Sequence, residues 1–317
     1  MATTPTVPET TTNGVAKKKP GRPRKKPMRV HDPRAGIAAA PHDIAHCIEF
    51  IFDEPIIFKK LWTYYKAMAI SKLQLIFRRD ELIIYGEDHS HKSKVRTRID
   101  ARRITHYFCR TPYEIGILFK GTESTMMTID AEYTKLAIYS EAARMHQNIK
   151  TTLSNEMDID ENRTIELIGE YPHIEDESMF LDDAYTIKFE LPGKYLKKML
   201  NNIRMFSDQI TVRQDARVDP LVFEYKSASK KISSMNIFKS NSKIKLQSTL
   251  EDSDTFYMNF KIDYVKPISA ALASENITIW MHEDKPIMFT VLHDGGSVEV
   301  KILTATVQRA AAALAGA

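Results

Sequence analysis

Cysteine is nearly absent from the 317 residues: Cys47 and Cys109 are the only two. That excludes a disulfide framework, leaves no material for a cysteine-based zinc site, and points to a reducing, intracellular setting. Glycine is scarce, at 11 residues, about half its usual share of roughly 7 per cent. Gly-rich phosphate loops and strained catalytic turns therefore have little to form from. No apolar run reaches the 18 or so residues of a membrane helix, and the opening residues lack the basic-then-apolar order of a signal peptide, so no membrane is expected. Gly-x-Ser-x-Gly, His-Glu-x-x-His and phosphate-loop patterns are all missing, and no enzyme is expected. Asp88, His89 and His91 have no further Cys or His at ligand spacing, so neither a metal nor another cofactor is expected.

What is present is a globular composition, 43% hydrophobic and 27% charged, with length for two domains. The charge is uneven. Residues 1–36 hold nine basic side chains against Glu9 and Asp32, a net +7, whereas the whole chain is +4. From residue 37 onward the chain is therefore mildly acidic, at −3. A segment so rich in Thr, Pro, Lys and Arg cannot bury enough surface to order itself. Within it, Lys17-Lys18-Lys19-Pro20-Gly21-Arg22-Pro23-Arg24-Lys25-Lys26 resembles an AT-hook. Prolines hold such a core extended, while Arg22 and Arg24 reach into a narrow A·T minor groove, with Lys19, Lys25 and Lys26 on the phosphates. The same run also reads as a nuclear import signal or a general phosphate-binding arm.

The body repeats itself at an offset of 138. Phe58-Lys59-Lys60-Leu61-Trp62 faces Leu196-Lys197-Lys198-Met199-Leu200, then Tyr65 meets Ile203, Lys66 meets Arg204 and Met68 meets Phe206. Each segment has helical period, with an apolar stripe behind and lysines in front. Each follows an alternating strand, Cys47–Phe52 or Ala184–Glu190. Each precedes short β-like runs: Lys72–Phe77, Glu81–Tyr85, Lys94–Asp100 and Thr105–Cys109, then Gln209–Arg213, Leu221–Lys226, Lys243–Leu250 and Phe256–Asp263. A further helix is expected over Tyr264–Ser274, with Pro267 in its first turn, and a shorter counterpart over Pro112–Thr122. Strands over Asn276–Met281, Pro286–Leu292 and Ser297–Val307 close the second copy. The pattern predicts an α+β chain: a disordered basic tail (1–44), a first domain (45–153), an acidic linker (154–183), a second, similar domain (184–308) and a disordered end (309–317).

Asp88-His89-Ser90-His91, the lysine pair at 59 and 60, Lys243-Ile-Lys-Leu-Gln-Ser-Thr249 and Pro286-Ile-Met-Phe-Thr-Val-Leu-His-Asp-Gly-Gly296 stand in order along the chain. Together these segments resemble the sliding clamps of the proliferating cell nuclear antigen (PCNA) type. The tail brings them nearest to the divergent clamps of large cytoplasmic DNA viruses of the African swine fever kind. The resemblance implies a homotrimeric ring with helices lining a central hole and sheets outside, encircling double-stranded DNA. It implies a processivity factor that tethers a DNA polymerase and other replication and repair proteins at a viral replication site in the host cytoplasm or nucleus, with a clamp loader as a further partner. Lys59, Lys60, Lys66, Lys197, Lys198 and Arg204 would line the hole, joined by Lys120, Lys194 and Lys266. Subunits would pair His146–Leu153, including Ile149 and Thr151, with Lys243–Leu250, including Lys243, Ile244 and Leu246. Client proteins would enter an apolar pocket under the linker, built from His91, Ile165, Leu167, Ile168, Ile302 and Leu303. Lys92 after His91, the ending Val300-Lys-Ile-Leu-Thr-Ala305 and the long linker depart from the family's pattern at that pocket. Two other readings suit the residues: a monomeric or dimeric DNA-binding processivity factor, and an AT-hook architectural or transcription protein.

Overall fold

The computed structural model describes residues 36–157, 159–226 and 233–306. The tail residues Lys19, Arg22, Arg24, Lys25 and Lys26 lie outside them, as does the expected end 309–317. Two halves follow one order of elements: a strand, a helix, five strands, a second helix and three strands. The first half is β1 (His46–Phe52), α1 (Ile56–Ala67), β2 (Ile70–Phe77), β3 (Glu81–Asp88), β4 (Ser93–Asp100), β5 (His106–Cys109), β6 (Tyr113–Leu118), α2 (Phe119–Thr128), β7 (Tyr133–Glu141), β8 (Asn148–Asn155) and β9 (Asp160–Ile168). The second is β10 (Ile187–Pro192), α3 (Gly193–Arg204), β11 (Gln209–Gln214), β12 (Leu221–Lys226), β13 (Ser233–Phe238), β14 (Lys245–Ser248), β15 (Phe256–Lys261), α4 (Ile262–Ala271), β16 (Asn276–Met281), β17 (Ile287–His293) and β18 (Val298–Thr304).

The apolar spacing makes these elements. In α1, Ile57, Phe58, Leu61, Trp62, Tyr64 and Tyr65 fall on the buried side. The helix stops where Ala69 turns left-handed, at a φ of 54°. In α3 the matching stripe is Leu196, Met199, Leu200 and Ile203. Its first residue, Gly193, leaves no room for a side chain, because a Cβ there would stand 2.0 Å from the carbonyl oxygen of Leu272, just past α4. Only glycine lets α3 start so close to α4. In β4, Val95, Thr97 and Ile99 point inward and Lys94, Arg96 and Arg98 outward, the two-residue alternation of a sheet with one covered face.

Fourteen strands form one continuous sheet in the order β14-β10-β16-β17-β18-β4-β3-β2-β6-β9-β8-β7-β1-β5, and β13-β12-β11-β15 form a second. The halves are welded by the antiparallel β18–β4 ladder, from Val298 opposite Ile99 to Thr304 opposite Ser93. One hydrophobic core runs through both, from Phe50, Phe58 and Leu61 to Phe189, Leu200 and Phe289. Burying each such side chain contributes about 1.5–3 kcal/mol.

Several expectations are corrected. Pro112–Thr122 is mostly strand β6, and the helix α2 begins only at Phe119. Pro267 lies inside α4 and not in its first turn. Asp263, whose carbonyl loses its helical donor there, is an exposed residue. The stretch expected as a linker begins as sheet: β9 pairs with β8 from Asp160 to Glu166 and with β6 at Leu167 and Ile168, so the connection between the halves starts only after Ile168. Strand β8, expected at a subunit edge, has β7 on one side and β9 on the other, and Ile149 and Thr151 are buried in it. Neither is available to a second chain.

Candidate nucleic-acid interface

The four helices lie in a row: α2 packs on α1, α1 on α4, and α4 on α3. Their apolar stripes face the sheets, so their polar sides form a second, continuous surface. α1 contributes Lys59, Lys60 and Lys66 to it and carries no acid. α3 contributes Lys194, Lys197, Lys198 and Arg204, likewise without an acid. α2 brings Lys120 with Glu123, and α4 brings Lys266 with Asp263.

These cations differ in how they are held. Lys59 donates from Nζ to the Ile129 carbonyl at 2.8 Å. Lys60 pairs with Glu275 at 2.8 Å and Lys66 with Glu123 at 2.7 Å. Arg204 meets Asp263 at 3.1 Å. Lys194 lies 5.4 Å over the ring of Tyr195. Lys120, Lys197, Lys198 and Lys266 are exposed, and their ammonium groups have no ion pair or hydrogen bond among the described residues. Glu275 feels burial first, which would raise its carboxyl, but hydrogen bonds from Lys60 and Ser274 hold it below the usual range. The Lys60 charge is thus already answered within the protein. A row of helix faces with unanswered lysines suits phosphates and not base edges, since ammonium groups meet a nucleic-acid backbone without carrying sequence information.

The opposite side of the sheet is covered by the segment joining the halves. Phe180 is inserted against Tyr85, Tyr185, Met288 and Leu303, with Ile174, Met179, Ala184 and Trp280 half-buried around them. Lys301 fixes it, donating to the Phe180 carbonyl at 2.8 Å and to Asp182 Oδ1 at 2.6 Å. The Arg96 guanidinium lies 5.4 Å from the Phe180 ring.

Of the six residues expected to receive client proteins, only Leu303 belongs to this cluster. Ile302, its neighbour on β18, points the other way and is buried in the main core, as is Ile165 on β9; alternation along a strand sends adjacent side chains to opposite faces. Both are buried and offer little surface. Leu167 and Ile168 are half-buried where β9 ends. His91 is exposed in a left-handed turn, φ 54°, with Nδ1 2.8 Å from Glu87. Sequence reasoning missed Phe180 and Lys301; one apolar residue in an acidic stretch gives no periodic signal. Lys243, Ile244 and Leu246 lie at or beside β14, which pairs only with β10 among the described residues.

This doubled architecture, with four helices on one side of the sheets, is the DNA-clamp fold of the PCNA type. The solved structure of PCNA from Thermococcus kodakaraensis superposes with a TM-score of 0.68, covering 82% of this chain and 99% of that one at 16% identity. In sequence the chain is similar to uncharacterized proteins of African swine fever virus. Those from a Kenyan pig isolate, a Namibian warthog isolate and the Badajoz strain are each 26% identical over 282 residues, 85% of this chain and 91% of theirs. No family model matches the sequence.

Proposed function

We propose that the chain is a ring-forming DNA sliding clamp, a processivity factor that encircles duplex DNA and tethers a polymerase and other replication proteins. The observation that carries this reading is the unbroken row α2-α1-α4-α3, whose solvent side holds every expected lining cation of the body and leaves Lys120, Lys197, Lys198 and Lys266 unpaired among the described residues. Weak phosphate contacts of this kind let a protein slide, and a closed ring keeps it from leaving. The basic tail, through Arg22 and Arg24, adds further contacts to the same duplex. Viral relatives support a role in copying a viral genome.

Three features support closure by three identical chains joined head to tail. Strand β9 has no partner along 160–166 on the side away from β8, and β13 pairs only with β12 among the described residues. Open edges of this kind take up another chain. The β9 edge carries Asp160, Glu161 and Glu166 around Arg163, which pairs with Glu161, while Lys239 follows β13 and Lys243 lines the cleft beside it. Finally, Met157 and Ile159 are exposed just before β9, and a cleft of about 360 Å³ between α3 and β13 is lined by Tyr195, Met199, Phe238 and Ile244. Symmetric rings need two such different, complementary patches on each chain. Clients would dock along the connecting segment, where Met179, Leu181 and Trp280 offer apolar surface over the fixed Phe180.

Threading onto linear DNA tests the reading. Protein mixed with a long duplex whose ends are then capped by streptavidin is expected to stay through a high-salt wash and to leave when the duplex is cut. Release by the salt wash alone would contradict encirclement, because an electrostatic binder has nothing else to hold it.

A further inference from the structure

At the far edge of the large sheet, three histidines gather round one carboxylate. Glu49 on β1 is wholly buried. Its Oε1 accepts from the Asp43 N–H at 3.0 Å and faces His46 Nδ1 at 2.7 Å. Its Oε2 accepts from the His42 N–H at 2.8 Å and faces His106 Nε2 at 2.7 Å and His42 Nδ1 at 3.2 Å. His106 is on β5, and the register that sets Glu49 opposite Phe108 makes it a diagonal neighbour. His42 comes from the segment before β1, and its ring stacks on that of His106 with centroids 3.9 Å apart. Oε2 thus faces three donors, whereas a carboxylate oxygen has two in-plane lone pairs. One cation shared by Oε2 and the two imidazole nitrogens relieves that crowding.

We infer that His42, Glu49 and His106 form a binding site for a single first-row transition-metal ion, zinc by donor chemistry, tying the segment before β1 to the sheet edge. The three donor atoms already lie within 4.8 Å of one another. Zinc takes nitrogen and carboxylate oxygen at about 2.0–2.2 Å, so tetrahedral donors stand about 3.3–3.6 Å apart. Opening the present 2.7 and 3.2 Å contacts to that spacing takes shifts of about 1 Å or less. Each imidazole binds in its neutral form, with its proton on the other ring nitrogen. Two nitrogens and one oxygen suit zinc and disfavour magnesium and calcium, which want oxygen alone. His46 and the Asp43 N–H hold Oε1 and orient the carboxylate, as supporting groups around metal ligands do. Burial by itself would raise the Glu49 carboxyl, but the hydrogen bonds from His42, Asp43, His46 and His106 hold it at about 2, so the ligand is ionised. The fourth position opens toward water, since His42 is 64% exposed. Backbone contacts at the same edge, Ala38 N–H to the Tyr107 carbonyl at 2.8 Å and Tyr107 N–H to the Gly36 carbonyl at 2.6 Å, lay the segment along β5. The metal would clamp its other end.

The test uses untagged full-length protein, stripped with chelator and titrated with zinc chloride by calorimetry, with bound metal counted after dialysis. One zinc per chain is expected, and cobalt(II) in its place should give the intense visible bands of a tetrahedral site. His42→Ala and His106→Ala should each weaken zinc binding about 100-fold or more, and His46→Ala about 10-fold. His42 is exposed enough that its variant retains the fold. His89→Ala, at an exposed loop histidine, should bind as the parent does. Less than one zinc per chain, zinc binding to His42→Ala as tight as to the parent, or an equal loss in His89→Ala would overturn the site.

Discussion

Helices α1 and α3 hold the same place in the two halves, yet they use their lysines differently. On α1, Lys59 is tied to the Ile129 carbonyl, Lys60 to Glu275 and Lys66 to Glu123. On α3, Lys197 and Lys198 are exposed and have no such partner among the described residues. The buried sides differ too: α1 packs Phe58, Trp62, Tyr64 and Tyr65, with Trp62 Nε1 donating to Thr122 Oγ1 at 2.9 Å, while α3 packs only Leu196, Met199, Leu200 and Ile203 beside Gly193. One copy has become the anchor of the helix row and the other its charged face. A positive stripe in a sequence therefore overstates the charge left free at the surface wherever the fold supplies an acid across the gap.

Five variants would break or sharpen that contrast. The largest effect is expected from Lys197→Glu with Lys198→Glu: duplex binding should fall more than tenfold at low salt, and the slope of log affinity against log salt should shrink by about 2, near 0.9 per lost phosphate contact. The matching pair on α1, Lys59→Glu with Lys60→Glu, should cost clearly less in the same titration; an equal or greater loss would erase the distinction. Glu275→Ala should turn α1 toward the α3 pattern, raising DNA affinity a few-fold by freeing Lys60 and steepening the salt slope. The smallest effect concerns stability alone. Lys60→Ala should lower unfolding free energy by about 0.2–1 kcal/mol, the worth of a partly exposed pair, whereas Lys197→Ala should change it by less than about 0.5 kcal/mol in denaturant melts.

The features that repeat locally are legible in the amino-acid order alone. The stripes of α1 and α3 stand at the 3.6-residue spacing that burial demands, and the offset between them marks the duplication. What stays hidden depends on distant partners. Lys60 and Glu275 are 215 residues apart. Strand β9, Asp-Glu-Asn-Arg-Thr-Ile-Glu-Leu-Ile, buries only Ile165 deeply, and so reads as acidic connection. β13 escapes notice because Ser-Ser-Met-Asn-Ile-Phe follows a Ser- and Lys-rich run that looks like loop. Those two strands carry the edges used in the proposed subunit contact, whereas β8 is paired on both sides and β14, though itself an edge, lies in the other sheet from β13. The His42, Glu49 and His106 cluster is equally hidden, because His106 stands 57 residues beyond Glu49 and reaches it only through strand pairing.

The most direct test is the mass of the untagged protein in solution, measured by light scattering across a concentration series. A ring of three 36.3 kDa chains gives about 109 kDa, and Ile159→Glu beside the open β9 edge should bring the mass down to that of one chain. A parent protein that remains a single 36.3 kDa protomer at every concentration would contradict encirclement, whatever its affinity for DNA.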